Sequence, residues 1–401
     1  MKIYARKLST FIAFVFLFFS LVACEGRYYN KIILTGAFNT NSTVELFTKR
    51  PLSDKKRDKI KKDINQILID LDNLFNIQER EEGMEPDTVL YEIGKNAGKK
   101  PVAVNEEVLY VLNRALQMSE ISKVKIGEEE IALFDPTIAP AWKAWGFTDN
   151  LQAILNDEKI AGIKQEIEGI VSRGLIDYKK IIIDEEKSTV YLEKEGMEID
   201  LGAIAKGYAA DKVKEYLLKQ GYTSGIIDIG RNILLVGDRL GNDFRVGIQT
   251  PYIGWFNGAR FDKEGNWINQ IYGTLVLSDL SLVTSGTYEK YIKDEKGNEY
   301  HHILNPKTGM PINNGVISVT VVTAESILAD GYSTTLFALG LEKGMGVVEA
   351  TEGLDAVWVV KNGDVKEVYI SSGLEDKFIF NEHVIQDGYV YKGVYHENTE
   401  D

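Results

Sequence analysis

The chain has 401 residues and is 44% hydrophobic, enough to bury a large core and too apolar for a disordered polymer. Against 60 Asp and Glu stand 46 Lys and Arg, a net charge of −14. That leaves no basic surplus to hold nucleic acid, although a single phosphate ligand held by local groups or a metal stays compatible.

The opening stretch, MKIYARKLSTFIAFVFLFFSLVACEG, reads as an export signal over residues 1–23. Lys2, Arg6 and Lys7 precede an apolar run, Phe11–Phe19, that is too short for a transmembrane helix. Leu21-Val22-Ala23-Cys24 resembles a bacterial lipobox, and Cys24 is the only cysteine of the chain. Cys24 is therefore expected to carry acyl chains, palmitate among them, and to tether an exported protein to the periplasmic or extracellular face of a membrane. The alternative is an uncleaved anchor with a chance cysteine. No second cysteine is present for a disulfide, so core packing must hold the exported body together. Residues 24–35 read as a short tether, 36–395 as one continuous body, and 396–401 as a frayed acidic tail.

Within the body, KIILTGAFNTNSTVELFTK alternates like a strand broken by a turn at Gly36. Ser53 is placed to cap a helix with Ile60, Ile64, Ile67, Leu71 and Leu74 on one face. Asn105 caps another, with Glu106 and Glu107 at its positive end and a stripe of Val108, Val111, Leu112 and Ala115. ALFDPTIAPAWKAWGF (132–147) is too proline-broken for one regular element. Residues 180–201 read as a β-hairpin delivering Asp200 to EIDLGAIAKGYAADK, where a strand end is expected to turn into a helix. Strands are predicted in SGIIDIGRNILLVGD, FRVGIQTP and VISVTVV, a helix in SILADGYSTTLFALG, and a hairpin with Asn362-Gly363 at its turn. Helices and hairpins interleave without a βαβ rhythm, which predicts an α+β fold.

Three stretches carry candidate chemistry. Gly202 and Gly207 have the outer spacing of a phosphate-binding loop, but Lys206 precedes the second glycine and Tyr208 stands where Lys would be. A glycine turn chosen for close packing explains the pair equally well. Asp330 and Thr334 lie four apart on one helix face, and their hard oxygens suit Mg²⁺, although a cap or surface role fits too. His302, at a strand end in EYHHILNPKTGMP, has the position of a general base and also of an ordinary packed histidine. A zinc-type Cys/His cluster and a G-x-S-x-G elbow are both absent from the sequence, and Gly344-Met345-Gly346 lacks the third glycine of a dinucleotide fingerprint.

In order, FDPTIAPAWKAWGF, IDLGAIAKGYAADKV, VGIQTP, TSGTYEKY, HHILNPKTGMP and VTVVTAESILADGYSTTLFALG resemble the ApbE family of FAD:protein FMN transferases over roughly residues 34–345. The resemblance implies an α+β, T-fold-like core with a smaller α/β portion in one catalytic unit. It implies an exported Mg²⁺-dependent enzyme that moves FMN from FAD to a Thr or Ser hydroxyl of a partner flavoprotein, such as a membrane redox-complex subunit, and releases AMP. Phe38, Leu133, Phe134, Asp135, Asp200, Lys206 and Leu304 match its FAD-contacting positions. The Ala203 carbonyl, Asp330, Ser333 and Thr334 match its metal positions, with His302 as the candidate base. The chain departs from the family pattern at Asn39-Thr40, Gln78, Gly94, Arg231 and Asn305. An FAD pyrophosphatase and a non-catalytic flavin-binding lipoprotein are the alternative readings.

Overall fold

The computed structural model describes residues 27–38, 40–77, 88–147, 153–251 and 271–396. The export signal, Cys24, Gln78 and the tail beyond His396 lie outside them. Among the described residues the main element is a nine-stranded sheet whose spatial order follows chain order. Its strands are β1 (Tyr28–Leu34), β2 (Ser42–Thr48), β3 (Gly225–Ile229), β4 (Asn232–Val236), β5 (Ser281–Gly286), β6 (Val316–Thr323), β7 (Asp355–Asn362), β8 (Val365–Ile370) and β9 (Tyr389–Val394). Every neighbouring pair is antiparallel except the last, β8 with β9. β1 begins inside the stretch read as a tether and pairs along its whole length with β2, so the tether is shorter than the sequence suggested. The alternation of Ile32 and Leu34 with exposed neighbours is what commits those residues to the sheet.

Four helices cover one face: α1 (Asp54–Phe75), α2 (Glu106–Ile121), α3 (Ala205–Lys219) and α4 (Ser326–Leu339). Ser53 caps α1 and Asn105 caps α2, each accepting a hydrogen bond from the backbone N–H three residues on. The buried stripe of α1 is Ile60, Ile64, Leu68, Leu71 and Phe75, rotated slightly from the expected one, with Ile67 and Leu74 only partly buried. On the other face a three-stranded sheet (Phe244–Gln249, Ile271–Leu277, Phe378–Phe380) packs over the later strands. β6 is therefore buried along its entire length, as a strand covered on both sides must be. A smaller portion is built on Ala139–Trp145, Asp157–Ser172 and the strand Tyr291–Asp294, with Trp145 and Phe147 in its own core. The whole is an α+β fold.

The hairpin expected over 180–201 is confined to Ile181–Asp184 and Thr189–Leu192. No strand forms at 198–201, where the backbone N–H of Asp200 donates instead to the Pro136 carbonyl at 2.7 Å. Leu201–Ile204 is a tight turn that feeds α3 directly.

Candidate active site

α4 is apolar on nearly all sides because it is wedged between the sheet, α2 and α3. Thr334 is one of its few half-exposed residues, so the turn from Asp330 to Thr334 opens toward solvent at that hydroxyl. Asp211 on α3 fastens the start of α4: its two carboxylate oxygens accept from the N–H groups of Ser326 and Ile327 at 2.9 and 2.8 Å. Burial pushes that carboxyl up to about 6.

Gly207 allows the two helices to cross this closely. A Cβ at that position would stand 2.2 Å from the Ser326 carbonyl oxygen. The contact also points the Gly207 N–H at Asp330, which accepts it through Oδ2 at 3.0 Å. In a regular helix that N–H would bond the Ala203 carbonyl. No donor among the described residues replaces it there. Lys206 completes the turn, its Nζ 3.0 Å from the Gly202 carbonyl and 3.8 Å from Asp330 Oδ1. The spacing that resembled a phosphate loop is thus a packing glycine whose N–H orients a buried carboxylate.

β5 supplies a third hydroxyl beside that helix. Ser285 Oγ lies 2.7 Å from Ser333 Oγ and 3.3 Å from Thr334 Oγ1, while Ser333 donates to the Asp330 carbonyl at 2.8 Å. Ser333 is fully buried with its hydroxyl already committed, so it braces the site; Thr334 is the hydroxyl left facing the opening.

Two cations and a histidine close the other side. His302 donates to the Lys290 carbonyl twice, from its backbone N–H at 3.0 Å and from its ring at Nδ1 at 3.1 Å. A carbonyl oxygen can only accept, so Nδ1 carries the proton and Nε2 keeps a free lone pair. Burial, with Lys290, His301 and Lys206 adding like charge, pushes His302 down to about 3 and keeps the ring neutral at physiological pH. The Lys290 ammonium lies over the Trp142 ring, 5.2 Å from its centroid, and burial and Lys206 lower its pKa. Arg231, held in the left-handed region at φ 73°, pairs with the neighbouring Glu289.

A metal fits this donor set in one way. Among the described residues no three His, Cys, Asp or Glu side chains gather to enclose an ion. What Asp330, Thr334 and the unpartnered Ala203 carbonyl offer is one carboxylate and two neutral oxygens. Such a set suits Mg²⁺, which keeps positions for water and substrate phosphate.

A profile of the ApbE family matches residues 38–358. This chain belongs to the ApbE family. A protein of Klebsiella pneumoniae named FAD:protein FMN transferase is 32% identical over 274 residues, covering 68% of this chain and 75% of that protein. One of the same name from Treponema pallidum is 28% identical over 370 residues, 88% and 91% of the two chains. The flavin transferase ApbE from Vibrio cholerae superposes with a TM-score of 0.66 at 24% identity, covering 87% of this chain and all of that one, and shares its fold.

Of the positions the ApbE resemblance implies, Lys206, Asp330, Ser333 and Thr334 are tied together by the contacts above, with the Ala203 carbonyl beside them. His302 stands within electrostatic reach of Lys206, and Asp200 within reach of Lys290. Asp200 spends Oδ1 on the Gly202 N–H at 2.7 Å, shaping the turn. Leu133 and Phe134 are pinned through their N–H groups to Ser122 Oγ. The Asp135 carboxylate accepts from the Thr137 N–H and hydroxyl and from the Tyr178 N–H, and burial raises its pKa to about 6. The side chains of Phe134, Asp135 and Leu304 are buried, so a ligand beside them meets backbone. Phe38 sits in the β1–β2 turn with φ 53°, at the same end of the sheet as Arg231 and Glu289. Ser285, Lys290 and Trp142 escaped the sequence reading. The first two lie in TSGTYEKY, whose hydroxyl and cation gain meaning only once β5 and α4 are adjacent.

Proposed function

We propose that this chain is an FAD:protein FMN transferase that uses Mg²⁺ and modifies a Thr or Ser hydroxyl of a partner flavoprotein. The observation that carries this reading is Asp330, buried and aimed by the Gly207 N–H, with Thr334, the Ala203 carbonyl and the Lys206 ammonium around it. That arrangement suits a pyrophosphate, and the names of the relatives above support FAD as its owner. Asp330, Thr334 and the Ala203 carbonyl would hold Mg²⁺, which supplies charge neutralisation at the phosphates when bound. Lys206 and Lys290 add positive charge beside them, which an acidic protein must provide locally to hold that anion.

The acceptor hydroxyl then attacks the FMN-side phosphorus. Its proton passes to His302 Nε2, the new P–O bond forms, and the bond to the bridging oxygen breaks so that AMP leaves. The Lys290 carbonyl fixes the tautomer this step requires. Chemistry of this kind depends mainly on positioning and on charge placed where charge develops. The test is incubation of purified protein with FAD, Mg²⁺ and candidate acceptors. Covalent flavin on an acceptor together with released AMP is expected. AMP without covalent flavin means a hydrolase, and FAD binding insensitive to EDTA without AMP means a flavin carrier.

We also propose that the protein is exported and tethered through acylated Cys24, on the strength of the lipobox. No helix among the described residues is long and apolar enough to cross a membrane, and acyl chains would serve in place of one.

A further inference from the structure

The starting end of β1 carries an exposed aromatic ring on each face of the sheet. Tyr28 and Tyr29 are 42% and 55% exposed, and Tyr29 stands opposite Phe47 of β2. The small sheet that covers the later strands does not bury them. Thr48 pairs with Tyr28, so Lys49 and Arg50 emerge beside Arg27, and the Arg239 guanidinium lies 5.2 Å from the Phe47 centroid. This corner gathers four cations on a protein of net charge −14. Glu45 on β2 is paired with Lys31 at 3.0 Å.

We infer that this corner rests on an anionic lipid surface. The inference builds on the acylated-Cys24 reading and adds a docking face to it. Cys24 is four residues from Tyr28, a span of at most about 14 Å, so an anchored chain holds the corner at the headgroups. Tyrosines beside basic side chains are the composition that settles at that depth, rings toward the acyl boundary and charges toward lipid phosphates. β1 is also the sheet's edge, and its unpaired backbone groups can stay hydrated at headgroup level but not in hydrocarbon. Along β1, Leu34 lies at the end of the sheet that carries Phe38 and Arg231. The active-site rim would then stand about 20 Å above the bilayer, one strand length away. The fitting acceptor presents its hydroxyl at that height.

Acylation of Cys24 leaves no free thiol, so a single introduced cysteine can be labelled cleanly. We would place an environment-sensitive fluorophore at Tyr29→Cys or Thr35→Cys in the full-length acylated protein. The carriers are vesicles of phosphatidylglycerol and phosphatidylcholine with or without brominated acyl chains. The Tyr29 probe should be quenched roughly twofold or more relative to the Thr35 probe, and less so when Arg27, Lys49 and Arg50 are changed to Glu. Equal, weak quenching of both probes on protein that floats with the vesicles would overturn the docking and leave the anchor intact. Failure to float would remove the anchor and the docking with it. An emission shift without bromine quenching would mean that a second copy covers the edge, which also overturns the proposal.

Discussion

The two sides of the site are held in different ways. Asp330 and Thr334 ride on a helix that is buried on nearly every side, clamped by Asp211 at its start and by a glycine contact at its crossing with α3. His302 and Lys290 sit on connecting segments, fixed to each other by two bonds to one carbonyl oxygen. The first side is positioned by packing, which tolerates almost no change in volume. The second is positioned by hydrogen bonds, so its geometry can survive replacement of a side chain. A position on the helical side should therefore couple stability to activity, whereas one on the histidine side should separate them.

The largest effect should come from Asp330→Ala. Turnover should fall by at least roughly a thousandfold, because the only carboxylate in the donor set is gone. The orphaned Gly207 N–H should cost about 1–3 kcal/mol of stability as well. Full activity restored by excess Mg²⁺ would refute the ligand assignment. EDTA should likewise abolish wild-type turnover.

His302→Asn should lower kcat by roughly 10²–10⁴ while the melting temperature and FAD affinity stay near wild type. A large loss of stability would show that the histidine is a packing residue. Because its pKa lies near 3, the free enzyme already holds His302 neutral well below pH 6.5. The pH profile of kcat/KM should accordingly lack an acid limb near 6.5, and a limb there that disappears in His302→Asn would break this part of the comparison. For stability the sign is also set. A histidine depressed in the folded state contributes nothing above the unfolded value near 6.5, and it destabilises progressively as pH falls from there toward 3.

Gly207→Ala should cost about 2–4 kcal/mol, since the new methyl meets backbone that cannot move aside. Activity should fall in parallel with it, which thermal melts and initial rates on the same sample would reveal. A fully active and stable Gly207→Ala would sink the account of the helix crossing. The smallest change is expected for Ser285→Ala: a loss of about 1 kcal/mol or roughly tenfold in rate, through a Thr334 hydroxyl that is no longer held. An unchanged rate would remove β5 from the site.

Much of this was legible in the sequence because local signals and tertiary demands agreed. Ser53 and Asn105 cap as their residue types suggest, and the period of Val108, Val111, Leu112 and Ala115 marks the face that is buried. Residues 198–201 misled because Met197, Ile199 and Leu201 alternate as in a strand, yet they are buried without a pairing partner. At Gly207 the sequence offered two explanations, and only the Ser326 oxygen decides between them. Ser285 and Lys290 were illegible for a plainer reason: a serine and a lysine are unremarkable until a distant helix comes within reach.

The sheet's order has a consequence for how the molecule assembles. From β3 onward each strand meets its neighbour after a connection no longer than residues 237–280, whereas β2 can pair with β3 only when residues 49–224 have been looped out. The extra closure entropy is about 1–2 kcal/mol relative to the shorter loops. The β1–β2 hairpin is therefore the part of the sheet expected to join last and open first. Hydrogen exchange should be fastest there, even at Val44 and Leu46, which are as buried as any residue in the core.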